Sequence, residues 1–363
     1  MISNNAIEKD MHERIGQLME QYGHDMPNVQ VSRYGSGHIH KTFLVDSQKE
    51  QFILQSFNQK VFPYPDRISG NLQLVKDHLK EEMLDFQLPL PMKDVSGELF
   101  SGDKEGFYRL FPFVPGACID KVENPQQAYM AARAFGGFIK ACAAIKAAGM
   151  QEVIEGFHDL SLRYRQFENA LKDTQVTLAG EVKEWVDFYK KQVLLVRKFR
   201  RFVEVLPLRV THNDTKINNV IYAHDFSKIN AVIDLDTVMA GYVFYDFGDL
   251  VRTVACTEEE GSTDWDKIDV DLSKYEALLQ GFVAALGEEL TTAEKASLPF
   301  GGEMMACIMG LRFLTDYLNG NIYYPISYPE QNLHRAKNQG LLLQALQAKR
   351  EEIQVLATKE LGG

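Results

Sequence analysis

The stretch Leu208-Arg209-Val210-Thr211-His212-Asn213-Asp214-Thr215-Lys216-Ile217-Asn218-Asn219-Val220-Ile221-Tyr222 is followed, after the polar segment 223–228, by Ile229-Asn230-Ala231-Val232-Ile233-Asp234-Leu235-Asp236. Both apolar runs are short and β-branched, and the few polar residues between them predict a hairpin. With the turn centred between Phe226 and Ser227, Tyr222 faces Ala231 and Asn219 faces Asp234. Directly opposed residues carry Cβ atoms ~4.5–5.5 Å apart. An amide oxygen and a carboxylate at that separation can share one hard cation, and Mg²⁺ prefers such oxygen ligands. Asp236 lies two residues on and points to the same face as Asp234 if the strand continues. Asp214 stands in the loop before the hairpin, where a carboxylate is expensive to bury but can approach a substrate.

Around this island the chain has two characters. Ile7, Met11, Ile15, Leu18, Met19 and Tyr22 recur at helical spacing and predict an amphipathic opening helix over 7–22. Val29 and Val31, then Phe43-Leu44-Val45, then Phe52-Ile53-Leu54 read as three strands split by Gly35, Gly37 and the polar stretch 46–50. A helix over 72–84 and strands at 97–100 and 107–111 complete a small, mostly antiparallel sheet carrying a helix. Beyond Pro115-Gly116 the pattern is mainly helical, with helices expected over 128–148, 180–203, 271–286, 297–318 and 330–357. The domain boundary is therefore expected at this Pro-Gly, giving units of 1–114 and 115–363.

The chain of 363 residues carries 39 Lys+Arg against 50 Asp+Glu, a net charge of −11 that argues against a general nucleic-acid binder. No apolar run approaches the ~18 residues of a membrane span, and the start MISNNAIEKD has no signal-peptide apolar core. Cys118, Cys142, Cys256 and Cys307 are too scattered for a disulfide framework or a CxxC metal site, which suits a reducing cytosol. The expectation is a cytoplasmic protein with no membrane, nucleic-acid or evident obligate protein partner.

The string His-x-Asp-x-x-x-x-Asn followed by Ile-Asp-Leu-Asp follows the catalytic-loop and metal-loop grammar of protein-kinase-like phosphotransferases. Further strings extend the match along nearly the whole chain: Tyr34-Gly35-Ser36-Gly37-His38-Ile39, Phe52-Ile53-Leu54-Gln55, Phe244–Asp249, Gly310–Leu318 and Asn321-Ile322-Tyr323. On these residues the chain resembles the aminoglycoside-phosphotransferase and choline-kinase group of small-molecule kinases. Within it, the chain is similar to the sugar 1-kinases that act on the anomeric hydroxyl of N-acetylhexosamines. The resemblance implies an α+β, protein-kinase-like two-lobe fold, with a small antiparallel-sheet N-lobe and a larger, mainly helical C-lobe.

It also implies ATP as co-substrate and Mg²⁺, with Asp214 as catalytic base, Lys216 at the transferring phosphate, and Asn219 and Asp234 on the metal. The sugar pocket would use His38, Asp214, Arg312 and Tyr323. The nucleotide would be met by Gly35, Gly37, Gln55, Phe111 and Phe113, and His212 and Asp246 would support the loop. Asp246 could do so by accepting backbone amides from it. From the residues alone, Arg312 would pair with an acid such as Asp316, Tyr323 would be a half-buried aromatic, and His38 a loop histidine. Another hydroxyl acceptor of the homoserine, choline or aminoglycoside kind stays open, as does a catalytically weak nucleotide-binding module.

Two departures from the kinase pattern stand out. The glycine turn carries His40 where the third glycine usually falls, and Gln55 occupies the place of the strand lysine that pairs with the nucleotide phosphates. Gln73 is the nearest counterpart of that lysine's glutamate partner, so an amide–amide hydrogen bond between Gln55 and Gln73 is expected.

Overall fold

Five antiparallel strands in the order β1-β2-β3-β5-β4 form the N-terminal sheet: β1 (Gln30–Arg33), β2 (Lys41–Asp46), β3 (Gln51–Ser56), β4 (Ser101–Asp103) and β5 (Gly106–Pro112). The structure is a computed structural model and describes residues 14–24, 29–35, 40–47, 49–79, 84–103 and 106–362. Helix α1 (14–21) lays Ile15, Leu18 and Met19 on one face of the sheet, against Phe43, Val45, Leu54 and Leu110. The alternation of these residues along β2, β3 and β5 buries one face of each strand. Each such side chain contributes about 1.5–3 kcal/mol when fully buried. Gly37, His38, Ile7 and Met11 lie outside the described residues.

Helix α2 (Pro65–His78) sends Ile68, Leu72 and Val75 into the large core shared with the helical part of the chain. It begins earlier than the apolar spacing suggests because Pro65 sits in its first turn, where a missing N–H costs nothing. It closes at Leu79, ahead of the expected end. Strand β4 lies four residues beyond the predicted 97–100, paired through Ser101 with Tyr108.

The remaining chain is helical around one large core. Its helices are α3 (Pro125–Ala141), α4 (Leu160–Asp173), α5 (Gly180–Lys190), α6 (Val193–Val203), α7 (Val243–Leu250), α8 (Leu272–Leu286), α9 (Thr292–Leu318), α10 (Gln331–Ala348) and α11 (Arg350–Leu361). The expected 180–203 and 330–357 each divide in two, at 191–192 and at Lys349. Helix α3 ends at Ala141 rather than 148. Helix α4 was not anticipated, although its signals are present. Asp159 caps it by accepting the Leu162 N–H at 3.0 Å, and Leu160, Tyr164, Phe167 and Leu171 line its inner face.

At the junction, Gly116 has φ +147, and a Cβ there would stand 2.3 Å from the Tyr222 carbonyl. This close approach lets Ala117 and Tyr222 exchange two backbone hydrogen bonds of 2.9 Å. The connector is thereby stitched onto β7 (Val220–Tyr222), which pairs with β8 (Ile229–Val232). A second two-stranded ribbon, β6 (Arg209–Thr211) with β9 (Met239–Gly241), frames the loop between β6 and β7. No helix among the described residues is long and apolar enough to cross a membrane.

Candidate active site

The loop 212–216 is held from three sides. The Asp246 carboxylate, fully buried in the first turn of α7, accepts the N–H groups of His212 at 2.8 Å and Asn213 at 2.7 Å. His212 donates from Nε2 to the Ile233 carbonyl at 2.9 Å, and Asn213 donates from Nδ2 to the Thr211 and Thr237 carbonyls. Asn213 itself adopts φ +63, a left-handed turn that asparagine tolerates. Burial pushes the Asp246 carboxyl up to about 7, and the two amides oppose that shift.

Asp214 projects from this braced loop. Asn219 Nδ2 donates to its backbone carbonyl at 2.8 Å and to its carboxylate at 3.1 Å, and Lys216 Nζ stands 3.5 Å from Oδ1. Burial acts to raise the Asp214 carboxyl, but Lys216, His212, Arg252 and Asn219 together hold it below the usual carboxylate value. The same pairing with Asp214 raises Lys216.

The hairpin register differs from the one expected. Val220 pairs with Val232 and Ile221 with Ala231, with an irregularity at Ile221/Tyr222 and Phe226 at φ +55 in the turn. Asn219 therefore lies opposite Ile233, whose N–H it binds through its carbonyl at 2.9 Å. The strand does not continue: Asp234 turns left-handed at φ +60 and a single 3₁₀ turn (Leu235–Thr237) follows. The turn, rather than strand alternation, sets Asp234, which is exposed, apart from Asp236, which is buried.

The Asp234 carboxylate opens to the cleft and, among the described residues, takes no hydrogen bond or ion pair. Desolvation by the cleft walls, with Asp236 and Asp214 nearby, pushes it up to about 7. A carboxylate raised by burial and by its acidic neighbours, beside an Asn219 whose Oδ1 accepts no hydrogen bond among the described residues, is chemically suited to Mg²⁺. Among the described residues no group of three or more His, Cys, Asp or Glu side chains could hold a metal alone.

Asp236, by contrast, is buried and fully engaged. Arg109 grips it with both terminal nitrogens, the Nη2–Oδ2 distance being 2.9 Å, and His40 Nε2 reaches Oδ2 at 2.8 Å. Burial acts to raise this carboxyl, yet Arg109 and His40 keep it far below the usual value. Gln55 accepts from Arg109 Nη2 at 2.9 Å through Oε1. The expected Gln55–Gln73 pair does not form, because Gln73 donates to Asp77 at 2.6 Å, a charged acceptor one turn along α2. Phe111 lies on the Arg109 face of β5, its ring 5.2 Å from the guanidinium. Phe113 follows the strand and meets Tyr34 edge-on at 5.9 Å, which brings the start of the Gly35 turn to the connector.

On the opposite wall Arg312 does not pair with Asp316. That carboxylate is occupied by the N–H groups of Ile322, Tyr323 and Tyr324 and by Asn332 Nδ2, at 2.8–3.0 Å. Asp316 thus shapes the loop that presents Tyr323, which is 58% exposed and so not the half-buried aromatic expected. Arg312 instead lies over the rings of Phe157, Tyr323 and Tyr324 at 5.1–5.9 Å. Among the described residues it has no acidic partner. Between Arg312 and Asp214 stands His158, whose Nε2 donates to the Asn213 carbonyl at 2.8 Å; burial pushes its imidazole down to about 3. Arg312 and Tyr323 border a cavity of about 510 Å³ shared with Arg163, Gln166, Thr315 and Tyr324. The sequence marks His40 only as a missing glycine and gives no signal for its partner Asp236, for Arg163 or Tyr324, or for the role of the Arg109 side chain. An arginine inside the otherwise apolar run 107–111 signals only that it has a partner, since a buried guanidinium demands one.

The sheet-plus-helical architecture with this loop between two ribbons is that of a kinase-like phosphotransferase. The chain belongs to the phosphotransferase enzyme family (APH), whose model matches residues 30–294. Its fold is shared with a microcompartment-associated aminopropanol kinase, 17% identical with TM-score 0.65 over 93% of this chain and 98% of that one. A spectinomycin phosphotransferase solved with ADP and spectinomycin is 15% identical, with TM-score 0.58 over 94% and 98%. A choline kinase from Cryptosporidium parvum is 13% identical, with TM-score 0.58 over 97% and 100%.

Proposed function

We propose that the protein transfers the γ-phosphoryl group of ATP to the anomeric hydroxyl of an N-acetylhexosamine. The observation that carries the phosphotransfer reading is the cluster of Asp214, Lys216, Asn219 and Asp234 around one cleft, with Asp234 taking no hydrogen bond or ion pair among the described residues. ATP as co-substrate is supported by the family and by the ADP bound in the spectinomycin phosphotransferase. The sugar reading rests on the sequence resemblance, and Arg312 and Tyr323 border a polar cavity that also carries Glu155, Arg163, Asp173 and Asn319. Residues 1–114 would carry the nucleotide and 115–363 the catalytic loop and acceptor.

Phosphoryl transfer needs positioning and charge neutralisation more than covalent help. Asn219 Oδ1 and Asp234 would hold Mg²⁺, which supplies charge neutralisation at the phosphate oxygens. Lys216 offsets charge on the transferring group. Asp214, held ionised, is a weak base; it orients the hydroxyl and takes its proton late, as a loose transition state requires. Arg312, Tyr323 and His38 would position the sugar. Gln55 offers the phosphates only a neutral donor, so Gln55→Ala should cost about 1 kcal/mol in kcat/KM for ATP, an ordinary hydrogen bond. Lys216→Ala should cost distinctly more; equal losses would overturn this division of labour.

The test is ATP consumption across free hexoses, N-acetylhexosamines, amino alcohols and aminoglycosides, with product analysis. The expected product is an acid-labile phosphate that no longer reduces, and Arg312→Ala and Tyr323→Phe should raise the sugar KM more than the ATP KM. A 6-phosphate that keeps its reducing end would remove the 1-kinase reading and leave the kinase reading standing.

A further inference from the structure

Residues 42, 55 and 109 form one cross-strand row of the N-terminal sheet, Gln55 facing Thr42 on β2 and Arg109 on β5. The row ends on Asp236 in the turn that follows Asp234. Arg109 is 1% exposed and spends its terminal nitrogens on two acceptors, Asp236 and Gln55 Oε1. His40 adds a second clamp: Asn58 N–H donates to its Nδ1 at 3.1 Å, which fixes the Nε2–H tautomer that donates to Asp236. The Gln55 carbonyl end is thus turned inward, while among the described residues its Nε2 has only a long contact of 3.5 Å to Thr42 and remains a donor to spare.

Stability alone does not account for this arrangement. A buried ion pair is often replaceable by well-packed apolar residues without loss. What the pair does provide is a covalently unrelated tie between the sheet and the metal-loop turn, and a fixed orientation for Gln55. It also occupies the charge of Asp236, while Asp234, among the described residues, takes no hydrogen bond or ion pair.

Resting on the phosphotransfer reading above, the geometry points to Arg109 as a positioning residue that takes over the duties of the absent strand lysine. Arg109 binds Asp236 to couple the sheet to the turn bearing Asp234, and turns Gln55 so that its polarised amide donates to the nucleotide phosphates. The positive charge acts one hydrogen bond back from the phosphates, through Gln55, instead of touching them.

The experiment measures calorimetric binding of Mg·ADP, which needs no acceptor, to the full-length wild type, Arg109→Lys, Arg109→Met and the double variant Gln55→Lys/Arg109→Met. Arg109→Lys keeps the charge for Asp236 but lacks the fork to hold Gln55 as well. It should fold and bind Mg·ADP about fivefold more weakly, the scale of the ordinary hydrogen bond that Gln55 supplies. With N-acetylglucosamine as acceptor, its ATP KM should rise while the acceptor KM holds. Arg109→Met should bind more weakly still, and adding Gln55→Lys should restore part of the loss by returning a cation to Asp236. Folded Arg109→Lys binding Mg·ADP as tightly as the wild type would overturn the inference. So would a double variant binding no better than Arg109→Met. Should Arg109→Met fail to fold, Arg109→Lys decides alone. A wild type that does not bind Mg·ADP would instead sink the phosphotransfer reading itself.

Discussion

Asp214→Asn is expected to fold as the wild type and to lose about 10²–10⁴-fold in turnover, the usual cost of removing a positioned general base. The asparagine preserves the shape, and the loop beneath it is braced independently by Asp246, His212 and Asn213. Its stability should therefore change little. The charged pair with Lys216 is partly exposed and at 3.5 Å, so its loss is a small term. The measurement is kcat at saturating ATP and acceptor, alongside a thermal melt. Near-wild-type kcat in a folded variant would remove Asp214 from the chemistry.

Asp234→Asn should lose turnover and raise the Mg²⁺ needed for half activity by more than the roughly 10–100-fold typical of removing an outer partner of a metal ligand. Asn219→Ala should move the same parameter in the same direction. The sign of the stability effect is opposite to that of most polar deletions. A carboxyl pushed up to about 7 in the fold binds more protons folded than unfolded between the ordinary carboxylate value and 7, so its contribution falls as pH rises through that window. Neutralising it should raise Tm at pH 8 in chelator-treated protein and leave Tm unchanged at pH 4. A lowered Tm at pH 8 with unaltered Mg²⁺ dependence would refute the shared site on the hairpin.

The catalytic string was legible because its parts are local. His212 to Asn219 lies within eight residues, and the β7–β8 hairpin returns Asp234 to Asn219 within fifteen more. Spacing alone therefore placed Asp214, Lys216, Asn219 and Asp234 near one another, and the kinase-like class followed from that pattern. The alternation in β2, β3 and β5 and the helical spacing beyond 115 likewise carried the two-part architecture, since burial periodicity is written residue by residue. Helix ends were less legible, because caps and breaks at Pro65, Asp159 and Lys349 depend on single residues.

The tertiary structure alone decided the partners. Whether Asp234 and Asp236 share a face depended on a left-handed turn that no alternation rule contains. Gln73 turned to Asp77 because a carboxylate one helical turn away outcompetes a distant amide. Asp316 was drawn to three backbone amides of its own loop, which left Arg312 to the tyrosines. Arg109, Gln55, His40 and Asp236 meet across as many as 196 residues of chain. A buried guanidinium in the sequence announces only that some acceptor must exist; which one it finds is set by how the sheet and the helical core are brought together.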